Sequence, residues 1–546
     1  MTALMTLDER RARGADARAR TPRTAHSGWT PAPGRPNPVA LLVSQETTRE
    51  PDLVPVRHGR MMVSPFTFYR GAAKIMAEDL KDTPTAGLDA QLCGDAHLLN
   101  FGVFGSPERR LVFDVNDFDE TLPGPFEYDV KRMTASFVIA ARDAAFSQAE
   151  AYDAALAAVA AYREAMASFA QQRTMDIWYA SLDEDEIKRA VGTVVAESTG
   201  AAKSAKSGKS AKSGKDAGKT AKKDAREAKA GKAGKAAKGA KGADGDDAAT
   251  TTILDDTDSD SGAEREPAGG AGGAMSQAKM AKRAEKTLAH MSAKARTKDS
   301  LEALSKLCEQ VDGQYRIVSQ PPVVVPLRLL PPGVVPGNLD AILRQQFHDY
   351  RSTLQPDRRH LLEQFEIIDV ARKVVGVGSV GTRCFIALLQ GRDASDPLFL
   401  QAKEATASVL EAHLPRSRYR NAGQRVVQGQ RIMQAVSDIF LGWTRGADVV
   451  RHYYWRQLRD MKGSVETEGA TPLGLSMYAR VCGWTLARAH ARSGDPVAIG
   501  AYLGSGDSFD RAIADFSQRY ADQNDRDYEE FVSAIKDGKL EAVEGV

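Results

Sequence analysis

Cysteine is scarce in this chain: Cys93, Cys308, Cys384 and Cys482 stand far apart, with no C-x-x-C pair and no Cys/His cluster. That spacing excludes a zinc-finger-type site and a disulfide scaffold, and it suits a reducing compartment. No run approaches the roughly 18 apolar residues a bilayer-spanning helix needs, so no membrane partner is expected. The first residues, DERRARGADARAR among them, are Arg-rich and have no apolar h-region, which argues against a secretory signal and for a cytoplasmic location. Net charge is also small: 74 Lys and Arg against 72 Asp and Glu leave +2, neither a polyanion binder as a whole nor an acidic solvator. A hydrophobic content of 42% supports a real core. A length of 546 residues sets a prior of about two to four domains.

Two stretches lack hydrophobic periodicity. Residues 1–50 are rich in Arg, Pro, Thr and Ala and read as a disordered basic arm. Residues 196–275 hold a Lys/Ala/Gly near-repeat (AAKSAKSGKSAKSGK and onward) followed by the acidic tract ADGDDAATTTILDDTDSDSG. Neither half buries enough apolar surface to offset chain entropy, so a disordered insertion is expected, its oppositely charged halves attracting each other. The basic half could contact nucleic acid weakly and non-specifically through phosphates, but it has no aromatic to stack on a base.

Between these stretches the pattern is structured. Residues 51–195 begin with SPFTFYRG, read as an extended or turn segment entering the helix AAKIMAEDL, and continue after Asp129 into two or three Ala-rich helices. Arg60 and Arg70 precede the acidic stretch and could bind a phosphate or pair with carboxylates; Lys131 and Arg132 read as partners of the acids. Residues 276–368 read as helical with a Pro-rich crossing, QPPVVVPLRLLPPGVVPG. Residues 369–465 read as β-rich, and residues 466–546 as helices that complete the helical part.

The densest chemistry lies in CGDAHLLNFGVFGSPERRLVFDVNDFDETLPGPFEYD, residues 93–129. Carboxylates this close repel one another, and a bound divalent cation with Asp and Asn oxygen ligands, as Mg²⁺ prefers, rewards the arrangement. Asp95 and Asn100 have the interval of a phosphoryl-transfer catalytic loop, an acid that handles a hydroxyl proton and an Asn five residues on that binds metal. The strand LVFDVND then delivers Asp117 as a second metal ligand would be delivered.

A second constellation follows Val370. Gly376-Val377-Gly378-Ser379-Val380-Gly381 is a G-x-G-x-x-G between β-type runs, and TRCFIALLQG alternates where a dinucleotide fold would place a helix. Strand, Gly loop and strand form a hairpin suited to covering nucleotide phosphates. PLFLQAKEA carries Lys403 at the end of an apolar strand, a poor place for an ammonium unless an anion such as an α/β-phosphate meets it. Glu411 is its candidate partner on the helical stretch TASVLEAH. The helix QRVVQGQRIMQAVSD, two strands (DIFLGW and HYYWRQL) and a hinge-like break at Arg459-Asp460 complete a five-stranded, one-helix lobe. In YARVCGWTLARAHARSGD, His490 reads as a packed helix-end histidine.

Taken together, GDAHLLNFG, NDFDE, VGVGSVGTR, LQAKEA and LARAHARSGD resemble the bacterial family known as domain of unknown function two-two-five-two. The acidic stretch also resembles aminoglycoside and choline phosphotransferases, whose loop reads H-G-D-x-H-x-x-N and whose metal strand reads I-D-[FW]. That resemblance implies an α+β, two-lobed protein-kinase-like fold with a mainly helical lobe and a smaller antiparallel β lobe. It implies ATP and Mg²⁺ as cofactors and a small-molecule hydroxyl acceptor. By the same resemblance Asp95 is the base, with His97 beside it in the catalytic pair, and Asn100 and Asp117 are Mg²⁺ ligands, Asp114 being the rival. Asp129 buttresses the loop, Lys403 binds phosphate, and Gly376, Gly378, Ser379 and Gly381 cover the nucleotide. Cys93 replaces the usual His, and the catalytic loop precedes the Gly-rich lobe, an order that implies circular permutation, which exposed neighbouring termini tolerate. Two other readings stay open. One is a metal-dependent hydrolase built on Asp95, His97, Asp114, Asp117 and Asp119; the other is a non-catalytic binder of nucleotide or nucleic acid.

Overall fold

The computed structural model describes residues 5–186, 292–330, 338–458, 461–464 and 469–545. The expected insertion at 196–275, the start of the connection after it and the Arg459-Asp460 break lie outside the described residues.

The N-terminal region is not the expected arm. Helix α1 (Leu7–Arg20) starts at a capping box formed by Thr6 and Glu9, and α2 (Pro38–Glu46) starts at Asn37, whose side chain accepts from the Ala40 amide. Ala17 and Leu42 are buried, and buried His26 lies 2.7 Å from the Tyr502 hydroxyl through Nε2, so this segment is docked on the body. Three short helices follow: α3 (Val54–Met61), α4 (Pro65–Gly71) and α5 (Ala73–Leu80). The segment SPFTFYRG is therefore helical rather than extended. Ser64 caps it and Pro65 takes the first turn, where a missing N–H costs nothing.

Strands β1 (Asp89–Leu92), β2 (Phe101–Gly105), β3 (Leu111–Val115) and β4 (Leu122–Pro125) carry the acidic stretch into α6 (Glu127–Asp143) and α7 (Gln148–Phe169). α8 (Thr174–Tyr179) and the short β5 (Leu182–Asp183) end this part. The helical body closes with three helices from the C-terminal region: residues Pro472–Ser493, Pro496–Leu503 and Ser508–Lys536. Alanines at 151, 154, 155, 158 and 165 of α7 are buried, and a Cβ on Gly483 would lie 2.1 Å from Ala158 O. Those small residues let α7 and the Pro472–Ser493 helix cross at close range.

The second lobe begins with α9 (Ser300–Leu307) and the hairpin β6 (Cys308–Val311) and β7 (Gln314–Ile317). Its main sheet holds β8 (Val324–Pro326), β9 (Glu366–Lys373), β10 (Cys384–Gln390), β11 (Pro397–Ala405), β12 (Gly442–Arg445) and β13 (His452–Gln457). All pairings are antiparallel, in the order β12-β13-β11-β10-β9-β8. The sheet has six strands where five were expected. The extra one comes from the Pro-rich crossing and lies at the edge, where proline's missing donor is tolerated. α10 (Leu339–Ser352), α11 (Pro356–Leu362) and α12 (Ala422–Met433) complete the lobe, while TASVLEAH forms only a 3-10 turn at Val409–Ala412. A final strand, β14 (Gly463–Ser464), pairs with β2, and the C-terminal helices Pro472–Ser493, Pro496–Leu503 and Ser508–Lys536 become α13, α14 and α15. The fold is mixed α+β with antiparallel sheets.

Candidate functional site

The loop after β1 is held from below. Asp129, in the first turn of α6, accepts from the Cys93 amide at 2.8 Å and the Gly94 amide at 3.0 Å. Gly94 has φ +84°, and a Cβ there would stand 2.2 Å from Glu120 O, so only glycine fits. His490 on α13 meets Asp129 Oδ2 at 3.3 Å and Tyr162 Oη at 2.9 Å through its other nitrogen. It is packed, as expected, and also braces the loop's anchor. Asn100 Nδ2 donates to Asp95 O at 2.7 Å, and Arg132 Nε to Asp95 Oδ1 at 2.7 Å. Arg132 is thus a partner of Asp95, while Lys131 is buried with its Nζ 3.4 Å from Pro84 O and has Glu127, in the first turn of α6, as its acidic counterpart. His97 Nε2 lies 3.9 Å from Asp95 Oδ2. Burial pushes His97 down to about 4, against the pull of Asp95 and with help from Arg132 and Arg70, so its ring is neutral at pH 7.

The acid turn follows β3. Phe118 is buried and anchors it, Asp117 Oδ1 accepts from the Asp119 amide at 3.1 Å, and Asp117 Oδ2 lies 3.8 Å from Lys403 Nζ. Asp119 is the closer partner: its carboxylate takes the Lys403 ammonium, the Tyr454 hydroxyl at 2.8 Å and the Ser379 hydroxyl at 3.4 Å. Burial disfavours the Lys403 ammonium, but Asp117 and Asp119 outweigh it and hold the pKa well above the usual lysine range. Desolvation would likewise raise the Asp117 carboxyl, and Lys403 and Arg456 bring it below the usual range instead. Glu120 is pushed up to about 7 by burial, with Arg425 and the Val409 amide acting the other way.

The Gly hairpin joins β9 to β10. Gly376 (φ +64°) and Gly381 (φ +87°) adopt the left-handed region, and a Cβ on Gly378 would lie 3.2 Å from Arg70 O. Arg60 donates to Gly376 O and Arg49 to Val380 O, while the Glu50 amide reaches Gly381 O at 2.7 Å. Arg49 and Glu50, between α2 and α3, together with Arg60 of α3 therefore strap the hairpin to the helical body.

One cleft of about 620 Å³ lies between the lobes. Asp95, His97, Asn100 and Asp117 line it from the helical side, and Gly376, Gly378, Ser379 and Lys403 from the sheet. Gly381 supports the hairpin through Glu50 and does not line the cleft. Two expectations fail. Asp114 is no candidate ligand: it is fully buried, paired with Arg488, and accepts from the Ala435 amide at 2.8 Å. Glu411 is no partner of Lys403: it completes the capping box of the Val409–Ala412 turn, and its nearest cation is Arg425, 3.9 Å away. The strand's two acids point to opposite needs, and only geometry separates them.

Asp119, Tyr454 and Arg425 were not singled out for the lysine's side of the site. Tyr454 pairs in register with Lys403 across β11 and β13, a relation visible only once the strands are aligned. Arg425 donates to Thr121 O at 2.6 Å, Asp119 O at 2.7 Å and Thr406 O at 2.9 Å, fixing the acid turn against the end of β11. Among the described residues no group of three His, Cys, Asp or Glu side chains is placed to hold a metal ion unaided.

Fold and cleft together define an α+β protein in which a buried lysine of an antiparallel sheet faces two aspartates of a helical body. The chain belongs to the family described as "Uncharacterized protein conserved in bacteria (DUF2252)", whose model matches residues 49–270 and 252–534. No curated protein and no solved structure matches it. Among the described residues no helix is long and apolar enough to cross a membrane.

Proposed function

We propose that this chain is an ATP- and Mg²⁺-dependent phosphotransferase acting on a hydroxyl of a small-molecule acceptor, on a circularly permuted protein-kinase-like fold. The observation that carries the reading is the approach of Lys403 Nζ to 3.8 Å from Asp117 Oδ2, in a cleft that Asp95, Asn100 and the Gly hairpin also line. Residues nearly 300 positions apart in the chain supply the two halves of a phosphoryl-transfer site.

Lys403 and the hairpin amides hold the phosphates. Asn100 and Asp117 are the residues that would hold Mg²⁺, and two protein ligands fit an ion that completes its shell with phosphate oxygens and water. When bound, that ion offsets charge on the transferring group. Asp95, fixed through one oxygen by Arg132, orients the acceptor hydroxyl with the other and receives its proton as oxygen bonds to the γ-phosphorus and ADP leaves. Arg132 holds the Asp95 carboxylate in one place, so the main service of Asp95 is positioning, in keeping with a reaction governed by alignment and charge. Neutral His97 adds a wall next to Asp95 without repelling an incoming cation. The hydrolase reading loses Asp114, which Arg488 occupies.

The test is a thermal-shift titration with Mg²⁺ and ATP on the wild type, Asp117→Ala and Lys403→Ala. Ligand at about 100 times its Kd stabilises a fold by roughly 2.7 kcal/mol, a shift expected for the wild type and lost or much reduced in both variants. Equal shifts in all three would defeat the reading.

A further inference from the structure

Three donors converge on Asp119 from three different parts of the sheet lobe: Lys403 Nζ from β11, Tyr454 Oη from β13 at 2.8 Å, and Ser379 Oγ from the Gly hairpin at 3.4 Å. The acceptor they meet belongs to the other lobe. We propose that these donors form a binding site for one phosphoryl group of a nucleoside triphosphate, that Asp119 fills it in the ligand-free chain, and that phosphate enters by displacing this carboxylate. The proposal rests on the reading of the cleft as a nucleotide site and adds Tyr454 and Asp119 to it.

A carboxylate and a phosphoryl group offer such donors the same thing: anionic oxygens on a small centre, bound by charge-assisted hydrogen bonds. Lys403 and Tyr454 are buried while the Asp119 side chain keeps 27% of its exposure, so the donors form the fixed wall and the acid is the part facing the cleft. Displacement asks little of the backbone. Arg425 grips the carbonyls of Asp119 and Thr121, so the turn stays in place while the side chain rotates. Lys403 would not be stranded, because Asp117 remains 3.8 Å away. Tyr454 keeps its proton: burial and the nearby Asp119 hold its pKa well above the ordinary tyrosine value, so it serves as a donor to either anion.

The sign of one substitution separates this from a supporting role for Asp119 in cation binding. Asp119→Asn keeps the shape but removes the competing charge, and Asp119→Ser does so if the amide folds poorly. The probe is tripolyphosphate, titrated calorimetrically into the full chain without divalent metal. Binding on the order of tenfold tighter than wild type is expected from either neutral variant, the gain from one charge-assisted contact no longer contested. Adding Tyr454→Phe to Asp119→Asn should return part of that gain. Equal or weaker binding by both neutral variants overturns the proposal, and a double variant as tight as the single removes Tyr454 from the site and overturns it as stated. Tighter tripolyphosphate binding without phosphoryl transfer from ATP would uphold the site and defeat the proposed function; transfer with unchanged tripolyphosphate binding would do the reverse.

Discussion

Arg488 of α13 and Asp114 of β3 form an ion pair whose side chains are 1% and 0% exposed. Arg488 also donates to Met433 O at 2.5 Å, and Asp114 Oδ2 accepts from the Ala435 amide, so the pair ties the C-terminal helix, the acid strand and the end of α12 at one point. Removing one member of such a pair strands a charge away from water. Asp114→Asn is therefore expected to cost about 3–5 kcal/mol of stability while leaving the folded chain's Mg²⁺ and ATP response intact. Asp117→Asn, at a partly exposed carboxylate, is expected to do the opposite. Chemical denaturation and Mg²⁺ titration of the ATP-induced thermal shift, run on both variants, separate the two aspartates.

Arg132 supplies a second separation. Its Nε fixes Asp95, its Nη2 donates to Tyr69 O at 2.8 Å, and its guanidinium lies 3.8 Å from the Tyr69 ring centroid. A lysine cannot reproduce that fork or the stacking. Arg132→Lys is expected to leave ATP affinity near wild type and to slow transfer by about 100-fold, since small errors in placing a reacting group carry costs of that size. ATP affinity from thermal shift and kcat for ATP consumption measure the two effects. A loss in affinity as large as the loss in rate would show that Arg132 shapes the nucleotide site rather than Asp95.

Which parts of this were legible in the residue order follows from the range of the forces involved. β10 and β11 are readable because their short apolar runs, each bounded by polar turn residues, are local, and so is α7, whose alanines recur at helical spacing. The loop from Cys93 to Asn100 was readable because its acid and amide spacing belongs to a chemistry. Asp114 against Asp117 was not, since Arg488, the residue that claims Asp114, lies 374 positions away. The partner of Lys403 is hidden for the same reason: Glu411 lies close by in sequence, whereas Asp119 lies 284 positions earlier, and the two lobes meet only in the fold. α1 was missed because its arginines dominate its composition, although its capping box, Thr6 and Glu9, and its small residues at 14 and 17 were there to be read.

That N-terminal segment is open to a direct check. A Cβ on Gly14 would stand 2.2 Å from Ala498 O and 2.7 Å from Ala501 Cβ, so α1 and α14 touch backbone to backbone. Gly14→Val is expected to destabilise the chain by about 1–3 kcal/mol through overpacking. Gly28→Val, at a glycine with nothing within 4 Å of the added carbon, is the control and is expected to be near neutral. Equal melting temperatures for the two variants would mean that α1 is not docked in solution.

Glu120 gives the cleft a pH signature. Its carboxyl lies at the base of the site, Oε2 accepting from the Val409 amide at 2.7 Å, and burial raises it from an ordinary 4.5 to about 7. Between those values the native chain keeps a proton that the unfolded chain has released, so the native state binds more protons and stability falls as pH rises. The contribution is full below about 4.5 and gone once pH passes about 7, with an upper bound of roughly 3 kcal/mol. Glu120→Gln preserves an acceptor for Val409 and removes the titration. The stability of wild type relative to Glu120→Gln, taken from urea denaturation, is therefore expected to decline from pH 5 to pH 8. Parallel profiles would mean that Glu120 titrates at its ordinary value and that water reaches it more freely than its burial beneath the loop allows.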